Sequence, residues 1–323
     1  MAVGGSRSHR KGCGRLAPPL LGWSRITQTT AGGARVRSQR EQPDARPQGR
    51  PGPRRRPRRA RAARGADPRL AVVGESWSEQ IEPLQQAGLR VITYDRRGFG
   101  RSDKPSSGYD YDTFADDLAG VLEALDLRDV TLVGFSMGGG EVVRYLTRHG
   151  ADRIRNVVLA AAVPPYLLQS EDNPDGPMTQ DLADDMESQL KQDRSAFFDD
   201  FTTQFFAAGG EGEPLVTEQQ RQDAIRMAEQ SDQDAALGAM EAFGTTDFRD
   251  ELPKITVPVL IVHGDADGIV PFEGSGQRSA DAISGSEVVL VPGGPHGLNV
   301  SHAKEFNDAL IDFLTRDPRG VTA

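Results

Sequence analysis

The chain has 323 residues, 26% of them charged, and a formal net charge of −9 at pH 7. This length fits a single α/β domain, and the negative charge argues against a nucleic-acid partner. No apolar run reaches the roughly 18 residues of a membrane span, and a single cysteine, Cys13, excludes an intrachain disulfide.

Residues 1–70 differ from the rest of the chain in charge. They contain seventeen arginines and one lysine against three acidic residues, a net charge of +15, so residues 71–323 carry −24. Such asymmetry predicts a basic N-terminal tail followed by an acidic folded domain. Arg/Pro/Gly-rich sequence cannot bury a core, so we expect residues 1–70 to be disordered. The first residues lack the apolar stretch of a secretory signal, and we expect a cytoplasmic protein.

Downstream of Glu75 the chain alternates between helical and strand patterns. Ser76 and Glu79 have the spacing of a capping box, which predicts a helix starting near Ser76. Strands are predicted at 89–95, 129–135, 154–163, 257–264 and 286–293, and helices at 113–125, 138–150 and 303–314. This alternation predicts an α/β fold with a doubly wound, mostly parallel sheet.

The segment 164–252 is too long for a simple crossover between the third and fourth strands. It is acidic and mostly helical in pattern. We therefore predict an inserted helical cap over the carboxyl ends of the strands, where α/β sheets bind ligands.

A Gly-x-Ser-x-Gly motif lies at Gly134, Ser136 and Gly138, between a predicted buried strand and a predicted helix. A tight turn there pushes the serine hydroxyl out of the sheet, so Ser136 is the candidate nucleophile. The turn also leaves the Met137 N–H at a helix N-terminus, where it is the candidate oxyanion donor. Phe135 is predicted to line the substrate pocket. A glycine-rich helix cap and a plain core phenylalanine are the alternatives.

A serine hydroxyl needs a base to take its proton. His296 follows the last predicted strand in a Gly/Pro loop, "VPGGPHGLN", where such a base is expected. The tail or local structure explains the other four histidines: His9, His149, His263 and His302. Asp265 and Asp267, in "HGDADGIVP" after the fourth strand, are candidates for the carboxylate that orients the imidazole.

The loop "RRGFGRS" (96–102) carries Arg96, Arg97 and Arg101. We interpret it as a loop that braces the sheet with solvated arginines. An anion-binding site is the alternative.

From Glu75 to about residue 316 the chain resembles the α/β-hydrolases, and more narrowly the bacterial cofactor-free (non-haem) haloperoxidases and arylesterases. The matching stretches are "VITYDRRGFGRSDKP", "LVGFSMGGGEVVRYLTRHG", "AAVPPYLLQSEDNPDG", "VPVLIVHGDADGIVP" and "VPGGPHGLNVSHAKEFN". The order of Ser136, Asp267 and His296 along the chain matches that of the fold. The family assigns its acid to the second Asp of the turn, which implies Asp267 rather than Asp265. Dehalogenases and epoxide hydrolases use an Asp nucleophile, and Ser136 argues against both.

The resemblance implies a serine mechanism on a small ester or a short carboxylic acid. Water then releases the acid, whereas hydrogen peroxide releases a peracid that oxidises halide in solution. No cofactor and no metal are expected, and the sequence shows neither Cys/His metal spacing nor a dinucleotide glycine fingerprint. A non-catalytic or crippled relative that binds a small ligand under its cap is the alternative, and the sequence leaves a homo-oligomer open.

One expected element is absent from residues 1–74. In the family, the first parallel strand and its loop read like Val-Val-Leu-Ile-His-Gly-Trp-Pro-Leu-Ser-Gly and supply a second oxyanion N–H. With suitable codons, residues 64–73 read one base out of frame give Val-Val-Leu-Ile-His-Gly-Trp-Pro-Leu-Ser. We hypothesise that the chain before about Gly74 is a frameshifted reading, so that the N-terminal strands are missing or degraded. Sequencing the gene across these codons decides the matter.

Two other interpretations of the basic segment stay open. An organelle presequence is Arg-rich and acid-poor, as residues 1–40 are, and a nucleic-acid arm is Arg-rich, as 54–64 is. If the oxyanion loop is missing, we expect a poorly stable, weakly active chain with an intact triad, although "LAVVG" (70–74) offers a short substitute strand.

Overall fold

The computed structural model describes residues 26–29, 69–73, 75–209 and 213–316. Within these residues seven strands form one sheet in the order β1-β3-β2-β4-β5-β6-β7. The strands are β1 (Ile26–Thr29), β2 (Arg69–Val73), β3 (Arg90–Tyr94), β4 (Val130–Phe135), β5 (Ile154–Ala160), β6 (Val259–Gly264) and β7 (Glu287–Val291). Strand β1 runs antiparallel to β3 and the remaining pairings are parallel, which confirms the predicted sheet.

Helices follow the strands and cover both faces of the sheet. They are α1 (Ser78–Gln86), α2 (Tyr111–Ala124), α3 (Met137–His149), α4 (Gln180–Gln192), α5 (Arg194–Phe205), α6 (Glu218–Glu229), α7 (Gln233–Thr245), α8 (Gly276–Ala282), α9 (Leu298–Ser301) and α10 (Ala303–Thr315). Among the described residues, no helix combines the length and the apolar character needed to cross a membrane.

Two hydrophobic cores flank the sheet because each strand alternates its side chains between the faces. Helices α2 and α3 pack on one face, where Phe114 and Leu122 are fully buried. Helices α1 and α10 pack on the other face, where Trp77 contacts Phe306 with ring centroids 6.0 Å apart. The central strands β4, β5 and β6 are therefore apolar along nearly their whole length.

The first helix departs from the predicted capping box. Helix α1 begins at Ser78, after a short 3-10 turn over Glu75–Trp77, and its N-cap residue Trp77 makes no side-chain capping bond. Ser76, the predicted cap residue, lies inside this 3-10 turn and therefore cannot cap the α-helix. Burial of Trp77 against Phe135 and Phe306 fixes this end of the helix instead of a polar cap.

The segment between β5 and β6 contains the four helices α4 to α7. Each begins with a side chain that accepts a hydrogen bond from a backbone N–H of the first turn, and these N-cap residues are Thr179, Asp193, Thr217 and Asp232. Such caps satisfy N–H groups that have no partner within the helix. Helical structure thus fills the region for which a cap was predicted.

Strand β2 occupies the central position between β3 and β4. Val73 pairs with Tyr94 on one side, and Ala71 pairs with Leu132 on the other. "RLAVV" therefore takes the place that the sequence analysis assigned to the missing first parallel strand. Strands β1 and β2 both include residues from the segment predicted to be disordered; the remainder of 1–68 lies outside the described residues, and the frameshift stays a hypothesis.

Candidate active site

Ser136 lies in a sharp turn between β4 and α3. It is the N-cap residue of α3 and has φ 53° and ψ −122°, a left-handed conformation that is unfavourable for a residue with a side chain. The surrounding hydrogen bonds impose this conformation. The Ser136 N–H donates to the carbonyl of Ala160, and its own carbonyl accepts from the N–H groups of Gly139 and Val163. The turn has the strained geometry that exposes a nucleophile.

Gly134 permits this turn because the backbone of α3 lies directly against it. A Cβ atom at Gly134 would stand 2.6 Å from the carbonyl carbon of Gly138. Real carbon atoms do not approach so closely, so an added methyl group forces α3 away from β4. The glycine in the first position of the motif is therefore a packing requirement of the elbow.

We expect Gly134→Ala to lower the free energy of unfolding by about 1–3 kcal/mol, the usual cost of overpacking. Gly120→Ala is the matched control, because Gly120 lies within α2 and a Cβ there meets nothing within 4 Å. Alanine is the better helix former, so this control should raise the free energy of unfolding by about 0.4–1 kcal/mol. Denaturant unfolding of both variants measures the difference, and equal stabilities would contradict the packing argument.

The structure brings the three predicted triad side chains together. The Oγ of Ser136 lies 2.9 Å from Nε2 of His296, and Nδ1 of His296 lies 2.8 Å from Oδ2 of Asp267. An ionised carboxylate only accepts hydrogen bonds, so Nδ1 carries the proton and Nε2 presents its lone pair to the serine hydroxyl. His296 and Asp267 are both buried.

Asp267 is held by four donors. Its Oδ1 accepts from the backbone N–H groups of Ile269 and Val270 at 3.0 and 2.8 Å. Its Oδ2 accepts from His296 and also lies 3.2 Å from Nε2 of His263, which in turn lies 2.8 Å from the carbonyl of Val270. With two acceptors facing it, the Nε2 of His263 must carry a proton.

This environment keeps Asp267 ionised. Burial raises the pKa of its carboxyl, but the charge of His296, the hydrogen bonds from His263 and His296, and the N–H of Val270 outweigh burial and hold the pKa far below its ordinary value. Asp265, in the same turn, makes a different hydrogen bond: its Oδ1 accepts from the N–H of Gly293 at 2.6 Å. Of the two candidates, Asp267 is the one that contacts the imidazole.

The other two predicted residues flank the serine. Met137 is the first residue of α3, so its N–H belongs to the helix N-terminus, and its side chain packs against buried residues on both sides. Phe135 borders a cavity of about 330 Å³ under the cap. Its ring contacts His296 and Phe205, with centroids 5.2 and 5.9 Å away. Phe205 itself lies 5.0 Å from the ring of His296, so the cap helix α5 reaches the imidazole.

Two of the three arginines in the loop after β3 contradict the prediction that they are solvated. Arg96 and Arg97 are not solvated: the Nε of Arg96 donates to a buried Glu141 at 2.8 Å, and Arg97 pairs with Asp117. Only Arg101, paired with Asp95, keeps substantial exposure. The ion-pair partners of Arg96 and Arg97 lie in helices 20 or more residues away, so no local pattern could identify them.

Comparisons with known proteins show which family the chain resembles. A family described as alpha/beta hydrolase fold matches residues 66–303. A non-heme chloroperoxidase of Kitasatospora aureofaciens is 41% identical over 246 residues, 75% of this chain and 88% of that protein. A bifunctional esterase/perhydrolase of Acinetobacter calcoaceticus is 38% identical, over 74% of this chain and 87% of that protein.

The similarity extends to solved structures. The crystal structure of a bromoperoxidase from Bacillus anthracis has a TM-score of 0.76 and 50% sequence identity, and the match covers 78% of this chain and 93% of that one. An esterase from Exiguobacterium antarcticum has a TM-score of 0.72 and 33% identity, over 78% of this chain and 92% of that one. These similarities confirm the resemblance inferred from the sequence.

Proposed function

The chain belongs to the α/β-hydrolase family, and on this premise we propose that it is a serine esterase that also forms peracids. Its substrates are small esters or short carboxylic acids, with water or hydrogen peroxide as the second reactant. Relatives named as a chloroperoxidase and as an esterase/perhydrolase support this substrate class. We assign the roles of nucleophile, base and orienting acid to Ser136, His296 and Asp267.

The observation that carries the proposal is the continuous hydrogen-bonded chain from Ser136 through His296 to Asp267, with both links below 3 Å. The three side chains follow three different strands, and their meeting in the order nucleophile, base and acid supports a catalytic role. The positive φ of Ser136 adds backbone strain that the fold retains at the position of the nucleophile.

In acylation Ser136 attacks, His296 acts first as base and then as acid, and Asp267 orients the imidazole. Nε2 of His296 takes the proton of Ser136 as Oγ attacks the carbonyl carbon, and the carbonyl oxygen becomes an oxyanion against the N–H of Met137. The carbon–oxygen bond to the leaving group then breaks, and the imidazolium of His296 returns the proton to it. An ester releases an alcohol, and a carboxylic acid releases water.

Deacylation repeats the sequence with a new nucleophile. His296 takes a proton from water or hydrogen peroxide, whose oxygen attacks the acyl carbon; the bond to Oγ of Ser136 then breaks, and the imidazolium of His296 returns the proton to Oγ. Water gives the carboxylic acid and hydrogen peroxide gives the peracid. The peracid then oxidises halide in solution without further help from the protein.

Active-site labelling tests the assignment. We expect a fluorophosphonate to add one equivalent of phosphonyl group to the protein, located at Ser136 by peptide mass spectrometry. The same protein should hydrolyse 4-nitrophenyl acetate and, with acetate and hydrogen peroxide, should brominate a dye in the presence of bromide. The fluorophosphonate-treated protein is the control, and it should lose both activities together.

Two outcomes would contradict the proposal. Absence of labelling at Ser136 in folded protein would support the non-catalytic alternative. Dye bromination that persists after complete labelling would show that peracid formation does not pass through the acylated serine.

A further inference from the structure

A second imidazole, besides that of His296, faces the carboxylate of Asp267. His263 lies in β6, where it pairs with Leu290 of β7, and it is fully buried. Its Nε2 lies 2.8 Å from the carbonyl oxygen of Val270 and 3.2 Å from Oδ2 of Asp267. Since both neighbours are acceptors, Nε2 carries a proton that they share, and the nearer carbonyl takes the larger part of it.

Packing around the ring of His263 holds it in one orientation. The backbone of Gly276, the first residue of α8, lies so close that a Cβ atom there would stand 2.7 Å from Nδ1. The ring of Phe272 lies beside the imidazole, with centroids 5.5 Å apart. Nδ1 is buried and has no hydrogen-bond partner among the described residues, so a proton on it would be an unsatisfied buried donor. The proton therefore stays on Nε2, toward Asp267 and Val270.

The four donors to Asp267 differ in the part of the fold to which they belong. The N–H groups of Ile269 and Val270, which bond Oδ1, follow Asp267 by two and three residues in the same turn. They fix the carboxylate relative to its own turn. His296 lies in the loop after β7 and is itself the group to be oriented. Of the four donors, His263 is the one that lies within a strand of the sheet.

The turn after β6 is held at both of its ends. At its start, the N–H groups of Asp265 and Ala266 donate to carbonyl groups of β7 and the loop that follows it. At its end, the carbonyl of Val270 accepts from His263. The proton on Nε2 therefore holds two points of this turn against β6, the carbonyl of Val270 and the carboxylate of Asp267. A shift of this end of the turn would move Oδ2 relative to the imidazole that it orients.

We propose that His263 is a positioning residue: its Nε2–H ties the carboxylate of Asp267 and the end of its turn to β6, and so keeps Oδ2 within hydrogen-bonding distance of Nδ1 of His296. The inference rests on the proposed serine mechanism. Because His263 is fully buried, it touches no substrate and acts only through Asp267. A misplacement of about 1 Å in a catalytic site can cost about 10²-fold in rate, so such a tie has a measurable effect.

His263→Met and His263→Gln form a matched pair that separates the N–H donor from the bulk of the side chain. In both, the terminal group is joined to Cβ by the same number of bonds as Nε2 of histidine, but only glutamine offers an N–H there. We expect His263→Met to lower kcat for 4-nitrophenyl acetate by about 10- to 10²-fold with little change in KM. His263→Gln should lose no more than about threefold, because its amide N–H groups can reach the same two acceptors.

His149 provides the control for a histidine–carboxylate contact elsewhere in the protein. It is the last residue of α3, whereas Ser136 precedes the first, and its Nε2 lies 2.8 Å from Oδ1 of an exposed Asp116. An exposed pair of this kind contributes little, so His149→Met should keep kcat within about threefold of wild type.

A double-variant cycle distinguishes positioning from a general loss of stability. If His263 acts through Asp267, its removal matters only while the carboxylate orients His296. We therefore expect His263→Met to lower kcat by less than about threefold in an Asp267→Asn background, against about 10- to 10²-fold in the wild-type background. A loss of folded protein would instead lower turnover in both backgrounds.

Gly276→Ala gives the same test without removing the imidazole. The added methyl group meets Nδ1 of His263 and the ring of Phe272, so it displaces the imidazole and leaves its donor intact. If His263→Met does not fold, this variant takes its place in the cycle with Asp267→Asn, and the same non-additive loss of kcat is expected.

The contrary results separate the two proposals. Wild-type protein whose turnover does not depend on Ser136 would overturn the proposed function and this inference together. If the wild type is active, three results would overturn the role of His263 alone: unchanged kcat in His263→Met, an equal loss in His263→Gln, or an equal loss from His263→Met in the Asp267→Asn background.

Discussion

Replacing Ser136 with alanine is expected to lower kcat for 4-nitrophenyl acetate by about 10⁵- to 10⁶-fold, the usual loss when the nucleophile of a serine triad is removed. The alanine has no oxygen that can attack the carbonyl, and the imidazole of His296 keeps its position because Asp267 and Phe205 hold it. Binding is expected to change little, since the cavity wall contributed by Phe135 and the cap remains. Steady-state and single-turnover kinetics measure the loss.

A double variant checks that the groups act as a unit. Ser136→Ala/His296→Ala should be no slower than either single variant, because the base has no function without the hydroxyl. Thermal unfolding should show that Ser136→Ala remains folded; removing a side chain from a left-handed position relieves little strain because alanine keeps its Cβ. Retention of more than about a hundredth of the wild-type kcat in the single variant would refute the assignment of the nucleophile.

Features that depend on short stretches of chain were predictable. The buried strand, glycine-limited turn and helix around Ser136 are contiguous in sequence, and their spacing alone indicates an elbow. The positions after recognisable strands, in Gly-rich loops, predict His296 as the base and leave Asp265 and Asp267 as candidates for the acid; only the resemblance to the family favours Asp267. The parallel sheet then brings the carboxyl ends of those strands to one edge, which accounts for their meeting.

Features that depend on pairing across the fold were not predictable. The ion-pair partner of Arg96 is Glu141 of α3, which also accepts from the hydroxyl of Tyr94, and only the packed structure places these residues together. His263 similarly reads as a strand-end residue, yet its imidazole faces the same carboxylate oxygen as His296. The only signal in the sequence is a polar or charged residue at the end of an apolar strand, and this signal does not identify the residue with which it pairs.

Strand β2 shows the limit of pattern reading in another way. The sequence offers "LAVVG" (70–74) only as a short substitute strand, because a segment of this length carries too little signal to be assigned to the centre of a sheet by its composition. Its position is determined by the pairing with β3 and β4, which leaves room for one extended segment between them.

Replacing Asp267 with asparagine is expected to lower kcat by about 10⁴-fold. All four neighbours of this carboxylate are donors, so an amide group cannot be satisfied in either orientation. The backbone N–H groups cannot change, whereas an imidazole can move its proton. The amide NH₂ therefore turns toward His296, which then carries its proton on Nε2 and cannot accept one from Ser136.

Asp265→Asn is the matched control for this substitution. Asp265 belongs to the same turn but bonds the N–H of Gly293, and an asparagine oxygen can accept that bond as well. We expect its kcat to stay within about threefold of wild type, since no donor or acceptor near His296 changes. A larger loss in Asp265→Asn than in Asp267→Asn would reverse the assignment of the acid.

The pH dependence of stability gives a second signature of Asp267. Its pKa is lowered in the folded protein, so as pH falls the unfolded chain takes up a proton first, near the ordinary value of about 3.9. The stability that the charged carboxylate contributes is complete above that pH and is lost as pH falls toward the folded-state pKa. Wild type should therefore lose stability on acidification below about pH 4 more steeply than Asp267→Asn, which has no proton to bind there. Urea unfolding at a series of pH values measures both slopes. Parallel slopes would mean that the carboxylate is not held by the four donors, and the tautomer argument for the loss of activity would fail with it.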